Sequence, residues 1–202
     1  MRKFFLFALL CLMALAVWAR DKPWPGGSAG LGVIFTNDFS GNIDVSSEDL
    51  SLTLPMNLFN VGIYGYGDFA YVEILCGLFF GTDTDSYFNY LGATIGLFGK
   101  YPFVLSQKIS MFPLLGFEFH GALFGIFSAM HFENGHINWN QFWFKTGAGL
   151  DYKINEKIHL RFEALYGLRL KSEAKNDMMD GLRVIINDNI GHGFTLRVAV
   201  GV

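Results

Sequence analysis

Charge is what this sequence most lacks. Only 16% of its 202 residues are Asp, Glu, Lys or Arg, against roughly 25% in an average globular chain. The formal charge of −3 leaves no basic excess suited to nucleic acid and no acidic block suited to a solvating tail. Five prolines are too few for a low-complexity or polyproline chain. Long hydrophobic runs are also missing beyond the N-terminus. The most apolar later stretch, residues 113 to 127, is broken by Glu118 and His120 and by Gly116, Gly121 and Gly125. That excludes a transmembrane helix there, which needs about 20 apolar residues. No glycine-rich phosphate loop, paired zinc-ligand motif or nucleophile elbow is found.

The N-terminus has the pattern of a secretory signal. Arg2-Lys3 precede an uncharged apolar stretch from Phe4 to Val17, and Val17-Trp18-Ala19 offers a cleavage site after Ala19. The expected organisation is a signal peptide over 1–19, a short leader over 20–27 and one domain over 28–202. Cleavage removes Cys11 and leaves Cys76 alone, so no intramolecular disulfide is expected in an exported protein.

Period-two alternation dominates the remainder of the chain. In residues 141 to 154 one phase carries Phe142, Phe144, Thr146, Ala148, Leu150, Tyr152 and Ile154. The other carries Gln141, Trp143, Lys145, Gly147, Gly149, Asp151 and Lys153. After the turn residues Asn155-Glu156, residues 157 to 170 repeat the split, with Leu165 the lone exception. Residues 193 to 202 alternate likewise and end the chain at Val202. Weaker strands are expected over 29–37, 58–67, 69–80, 88–101 and 109–127, which makes eight. The connections alternate between short turns (Gly67-Asp68, 102–108, Asn155-Glu156) and longer loops (38–49, 81–87, around Asn134-Gly135, 171–190), as an up-and-down barrel requires. Within the last loop, residues 182 to 186 are suited to extending the strand pairing.

Alternation alone fits a soluble, lipocalin-like barrel as well as a membrane one. Residue size favours the membrane arrangement. The apolar phase is bulky, whereas the polar phase mixes glycine and alanine with a few charges, which suits the narrow interior of eight strands. Phe69, Tyr101, Phe142, Phe144, Tyr152 and Phe194 fall near strand ends, where interfacial aromatic girdles form. Trp139 and Trp143 read as part of the same belt. The expected fold class is therefore an all-β, eight-stranded antiparallel up-and-down transmembrane β-barrel.

The hairpin from Phe142 to Leu170 and the alternating strand to Val202 resemble the late strands of small outer-membrane barrels: the OmpA transmembrane domain, OmpX, OmpW and the opacity-protein group. This chain departs by ending on Val202 where those usually end on Phe. The resemblance implies residence in the bacterial outer membrane, contact with outer-membrane lipid and insertion by the barrel-assembly machinery. It leaves activity open, because such barrels serve as adhesins, stabilisers, pores and enzymes.

A charge facing lipid at the midplane costs about 2–4 kcal/mol for Arg or Lys. Glu73, Glu118, Lys145, Arg161, Glu163 and Arg197 all sit on the polar phase and are expected inside the barrel. Glu118 with Lys145, and Glu163 with Arg197, are expected as neighbours on adjacent strands. Their two readings are a plug of ion pairs and a lined conduit for small solutes. In the loop, His131, Glu133 and His136 form a thin candidate for a metal set. Ser128, His131 and Glu133 are the nearest approach to the nucleophile set of a lipid-modifying barrel enzyme. Their spacing puts Ser128 and His131 on opposite faces of an extended strand. The expectation is a non-enzymatic, monomeric barrel without a cofactor, structural or surface-interacting. The alternatives are a narrow pore and an adhesin that binds a host or surface ligand through its loops.

Overall fold

Bulky apolar residues alternating with small or polar ones can satisfy lipid on one face and a narrow lumen on the other only if the sheet closes on itself. A computed structural model describes residues 27–69, 71–83, 88–127, 140–170, 173–177, 183–187 and 191–202, except 47–50. Eight strands form the wall: β1 (Ser28–Ser46), β2 (Ser51–Asp68), β3 (Val72–Asp83), β4 (Phe88–Lys100), β6 (Ile109–Phe127), β7 (Asn140–Lys153), β8 (His159–Leu170) and β11 (Gly191–Gly201). Each pairs antiparallel with its neighbour, and β11 pairs with β1 to close the ring. Ala29 and Val202 complete the seam by exchanging backbone hydrogen bonds of 3.0 and 2.8 Å. Three short strands complete the set: β5 (Phe103–Val104), β9 (Glu173–Asp177) and β10 (Arg183–Asn187).

The pairing register sets the width of the barrel. From Gly30 the partners run through Tyr66, Leu75, Gly96, Glu118, Trp143, Arg169 and Gly191. That path returns to β1 beside Ser40, one position beyond the Phe39–His192 pair and ten residues from its start. With eight strands and a stagger of ten, ordinary strand spacings give a tilt of about 41° and a backbone radius of about 8 Å. So narrow a lumen holds side chains and little else.

Glycine makes those side chains fit. Tyr64 faces Gly32 and Gly77 across its two ladders, Phe79 faces Gly62 and Gly92, and Phe98 faces Gly116. Phe112 and Glu163 both face Gly149. A Cβ at Gly96 would lie 2.8 Å from the Phe98 ring and 3.0 Å from Leu75 Cγ, and one at Gly149 would overlap the Phe112 ring. Large and absent side chains thus interlock layer by layer.

The outward phase is apolar. On β11 and just after it, Phe194, Leu196, Val198, Val200 and Val202 are exposed, as are Leu31, Ile63, Leu97 and Phe117 elsewhere. This stretch of β11 spans about 20 Å of membrane normal at the tilt above. Towards one end the outward residues become Asn37, Asn57, Thr82, Asn89, Asn140 and His192. Below that polar ring, no Asp, Glu, Lys or Arg among the described strand residues faces outward.

Several boundaries differ from expectation for identifiable reasons. The loop expected over 38–49 is largely strand: β1 continues to Ser46, paired with β2 as far as Ser51 on one edge and with β10 from Asn42 to Ser46 on the other. A bulge at Gly41, between the Ser40–Met56 and Asn42–Pro55 pairs, bends it there. β10 occupies nearly the segment expected to extend the pairing, and β9 pairs with its other edge. The turn expected at Gly67-Asp68 lies at 69–71, where the Phe69 N–H donates to the Val72 carbonyl at 2.8 Å. Gly67 and Asp68 remain in β2, opposite Ile74 and Glu73. The 102–108 connection contains β5, which continues the β4 register along β6 past a break where Tyr101 and Pro102 meet Pro113 and Phe112. Two prolines remove the ladder donors there. The segment expected to be a signal peptide, and Ser128, His131, Glu133, His136 and Trp139, lie outside the described residues.

Two substitutions check this arrangement. Gly149→Leu, aimed into the Phe112 ring, should cost about 1–3 kcal/mol by overpacking. Leu196→Arg, outward at mid-wall, should cost about 2–4 kcal/mol. Equilibrium urea unfolding in lipid vesicles reads both, and an unaffected Leu196→Arg would contradict the lipid-facing assignment.

Candidate functional site: the charged barrel interior

Because successive strand residues alternate faces, every inward charge is delivered to the lumen at a height set by its register. The structure places all six residues picked out in the sequence inside the wall. Glu73, Glu118, Arg161 and Arg197 are fully buried, and Lys145 and Glu163 nearly so. Two tiers of ion pairs result.

The lower tier, nearest the short turns, is organised by Arg161 on β8. Its Nε and Nη2 donate to the two carboxylate oxygens of Asp151 at 2.7 Å each, a bidentate pair. Across the lumen its Nη1 donates to Glu73 on β3 at 2.7 Å and its Nη2 to Asp68 on β2 at 2.8 Å. Lys100 on β4 also pairs with Asp68. The guanidinium lies over the Tyr66 ring at 4.2 Å and the Phe112 ring at 5.0 Å, a favourable stacking for a desolvated cation. Beside it the Tyr66 hydroxyl is 2.8 Å from His159 Nε2.

Glu118 on β6 is the hub of the middle tier. One carboxylate oxygen accepts from Lys145 Nζ at 3.1 Å and from Thr94 Oγ1 at 3.1 Å, and lies 2.6 Å from His120 Nε2. The other accepts from Arg197. Arg197 Nη1 donates to Glu163 at 3.1 Å, and Lys145 Nζ also donates to Thr195 at 2.9 Å. Arg197 lies 4.8 Å from the Phe98 ring. The tiers are tied together by Arg197 with Glu73 at 3.8 Å and Arg161 with Glu163 at 3.9 Å.

Above these lies a layer of mixed polarity. The Tyr90 hydroxyl donates to Asn60 at 2.7 Å, and Asn60 donates to Asp38 at 3.1 Å. Phe79, Tyr90, His120 and Trp143 are in ring contact, with centroids 5.2 to 5.9 Å apart. Arg169 lies over the Trp143 ring at 5.6 Å.

The expected neighbours are both brought together, in different ways. Glu163 and Arg197 are direct cross-strand partners. Glu118 stands opposite Trp143 and reaches Lys145 diagonally. Trp143 corrects the belt expected of it: it is fully buried in the lumen, because it shares the inward phase of Lys145 rather than the outward phase of Phe142. The outward aromatics do gather near the ends of the wall. Tyr71, Tyr101 and Phe103 are in contact at the turn side, and Phe39, Tyr166 and Phe194 at the other.

Sequence reasoning misses Asp68, Lys100, Asp151, Arg169 and Asp38. Asp68 and Asp38 are hidden by having the local composition of turn and loop. Asp151, Lys100 and Arg169 lie on the inward phase, and that signal is enough to find them. Among the described residues no group of three or more His, Cys, Asp or Glu is placed to hold a metal ion. Cys76 is half-buried on the outward phase of β3.

No protein-family model and no curated protein matches the chain. Solved structures do. The outer membrane protein OprG from Pseudomonas aeruginosa aligns over 87% of this chain and 95% of its own, at 10% identity and a TM-score of 0.55. Neisserial surface protein A aligns over 88% and 96%, at 10% identity and a TM-score of 0.49. The likeness to OprG is one of fold, and it agrees with the closed register, the uncharged lipid-facing wall and the narrow lumen. The chain is a closed eight-stranded antiparallel β-barrel of the same fold as the outer membrane protein OprG.

Proposed function

We propose that this barrel is a non-enzymatic membrane wall whose lumen is plugged by its own charges, and that its work is done by the strands and hairpins beyond the lipid. The observation that carries the plug is the cross-lumen reach of Arg161 and Arg197. Each binds carboxylates from the opposite side of the barrel, and their aromatic platforms fill the space between. Both main tiers are close to charge balance, so an ion entering the lumen would have to displace a desolvated partner. The inward acids and bases that could serve chemistry are engaged by opposite charges instead, which supports a role without catalysis.

A surface-binding role is the second reading. β1 and β2 rise past the polar ring, and β10 and β9 add to β1 there to form a sheet in the order β2-β1-β10-β9. That sheet is a hydrogen-bonded base for recognition beyond the membrane. Deleting residues 173–187 should leave heat-modifiable gel mobility intact and abolish adhesion of cells displaying the chain. Unchanged adhesion would exclude this hairpin as the binding element.

For the plug, planar-bilayer recording of the refolded chain should show no reproducible single-channel steps. Steps that change on Glu118→Ala would replace the plug with a pore. Arg161→Ala leaves Asp68, Glu73 and Asp151 short of their shared cation. It should cost about 3–5 kcal/mol in equilibrium unfolding, as breaking a buried pair does.

A further inference from the structure

The turn-side rim is lopsided. The β2–β3 turn, residues 69–71, carries no charge. The exposed charge of the described turns lies on the other two connections, at Lys108 after β5 and at Glu156 and Lys157 in the β7–β8 turn, with Lys153 half-buried at the end of β7 beside them. The register brings these connections together. Ile109 pairs with Tyr152, and the Lys153 N–H donates to the Lys108 carbonyl at 2.7 Å. Both turns are braced by their own side chains. Ser106 Oγ accepts from the Lys108 and Ile109 N–H groups at 3.2 and 3.1 Å, and Asn155 Oδ1 accepts from those of Lys157 and Ile158 at 2.8 and 2.9 Å. Three lysines and one glutamate thus sit on two adjoining connections tied together through the backbone.

The same rim carries an apolar lip. Tyr101, Phe103, Val104, Leu105 and Ile154 are all at least half exposed, and Tyr101, Phe103 and Ile154 continue the lipid-facing phase of β4 and β7 below the wall. Soluble surroundings would penalise such a patch, whereas the boundary of a lipid leaflet accommodates both parts. The apolar lip enters the acyl region while lysine stems carry their heads to the phosphate level.

We propose that this rim seats an anionic phospholipid headgroup of the turn-side leaflet, with the phosphate diester accepting hydrogen bonds from Lys108, Lys153 and Lys157. The continuity of the lip with the lipid-facing wall identifies lipid as the occupant, and the excess of cations selects its charge. The interior ion pairs take no part, because their cations are buried and already partnered.

Spin-labelled lipids test this on the refolded full chain in phosphatidylcholine vesicles. Phosphatidylglycerol should associate with the barrel about fivefold more strongly than phosphatidylcholine, the factor expected for one basic residue near an anionic surface. The preference should fall in high salt, which screens exposed charges. K108Q/K153Q/K157Q should abolish it while retaining heat-modifiable mobility. If that triple variant fails to fold, K157Q alone, in a turn outside the strand ladder, should reduce the preference. Equal association of the two lipids with the native chain, or a preference undiminished in the folded lysine variant, overturns the proposal.

Discussion

Everything in this barrel depends on the absence of hydrogen-bond partners in hydrocarbon. A strand in lipid has nowhere to place its N–H and C=O groups except on a neighbouring strand, and the last strand has no neighbour except the first. Pairing of β11 with β1, completed by Ala29 and Val202, is therefore the condition on which the other features rest. Closure at eight strands with a stagger of ten sets the radius, and the radius sets what the lumen can contain.

The lumen answers that constraint in two ways. Sterically, most of the large apolar inward residues are given a glycine across the ladder, as Tyr64 is by Gly32 and Gly77. Electrostatically, inward carboxylates are answered by cations from distant strands. Asp68, Glu73 and Glu118 lie on β2, β3 and β6, while Lys145, Arg161 and Arg197 lie on β7, β8 and β11. Several of the contacts thus cross the lumen between early and late parts of the chain. Ion pairs so buried are poor contributors to net stability, yet removing one partner is costly. Their best-founded consequence is to disfavour any other register, because a slip of one residue would turn these charges into lipid.

Much of the wall is legible in the sequence because its signal is local. The alternation in residues 141 to 170 and 193 to 202 names strand, phase and outward face without any tertiary knowledge, and the inward placement of the six singled-out charges follows from phase alone. The early half is less legible. Gly67-Asp68 has the composition of a turn, yet Asp68 stays in the strand, where it serves Arg161 and Lys100 from across the barrel. The 38–49 segment looks like a loop from its polar, turn-rich composition, yet it pairs with β2 on one edge and with β10, more than 130 residues away, on the other. Trp143 has the residue type of an interfacial aromatic, but its phase places it inside.

By itself the sequence determined that the chain is a barrel, which face meets lipid and that the interior is charged. Those properties follow from a period of two and from side-chain size, which neighbouring residues express together. Only the tertiary structure decided which charges meet across the lumen. Contacts such as Arg161 with Asp68 and Glu73, or Arg197 with Glu118, depend on the stagger of eight strands and on the lumen diameter. These are global quantities, fixed when the ring closes, and no short stretch of sequence carries them.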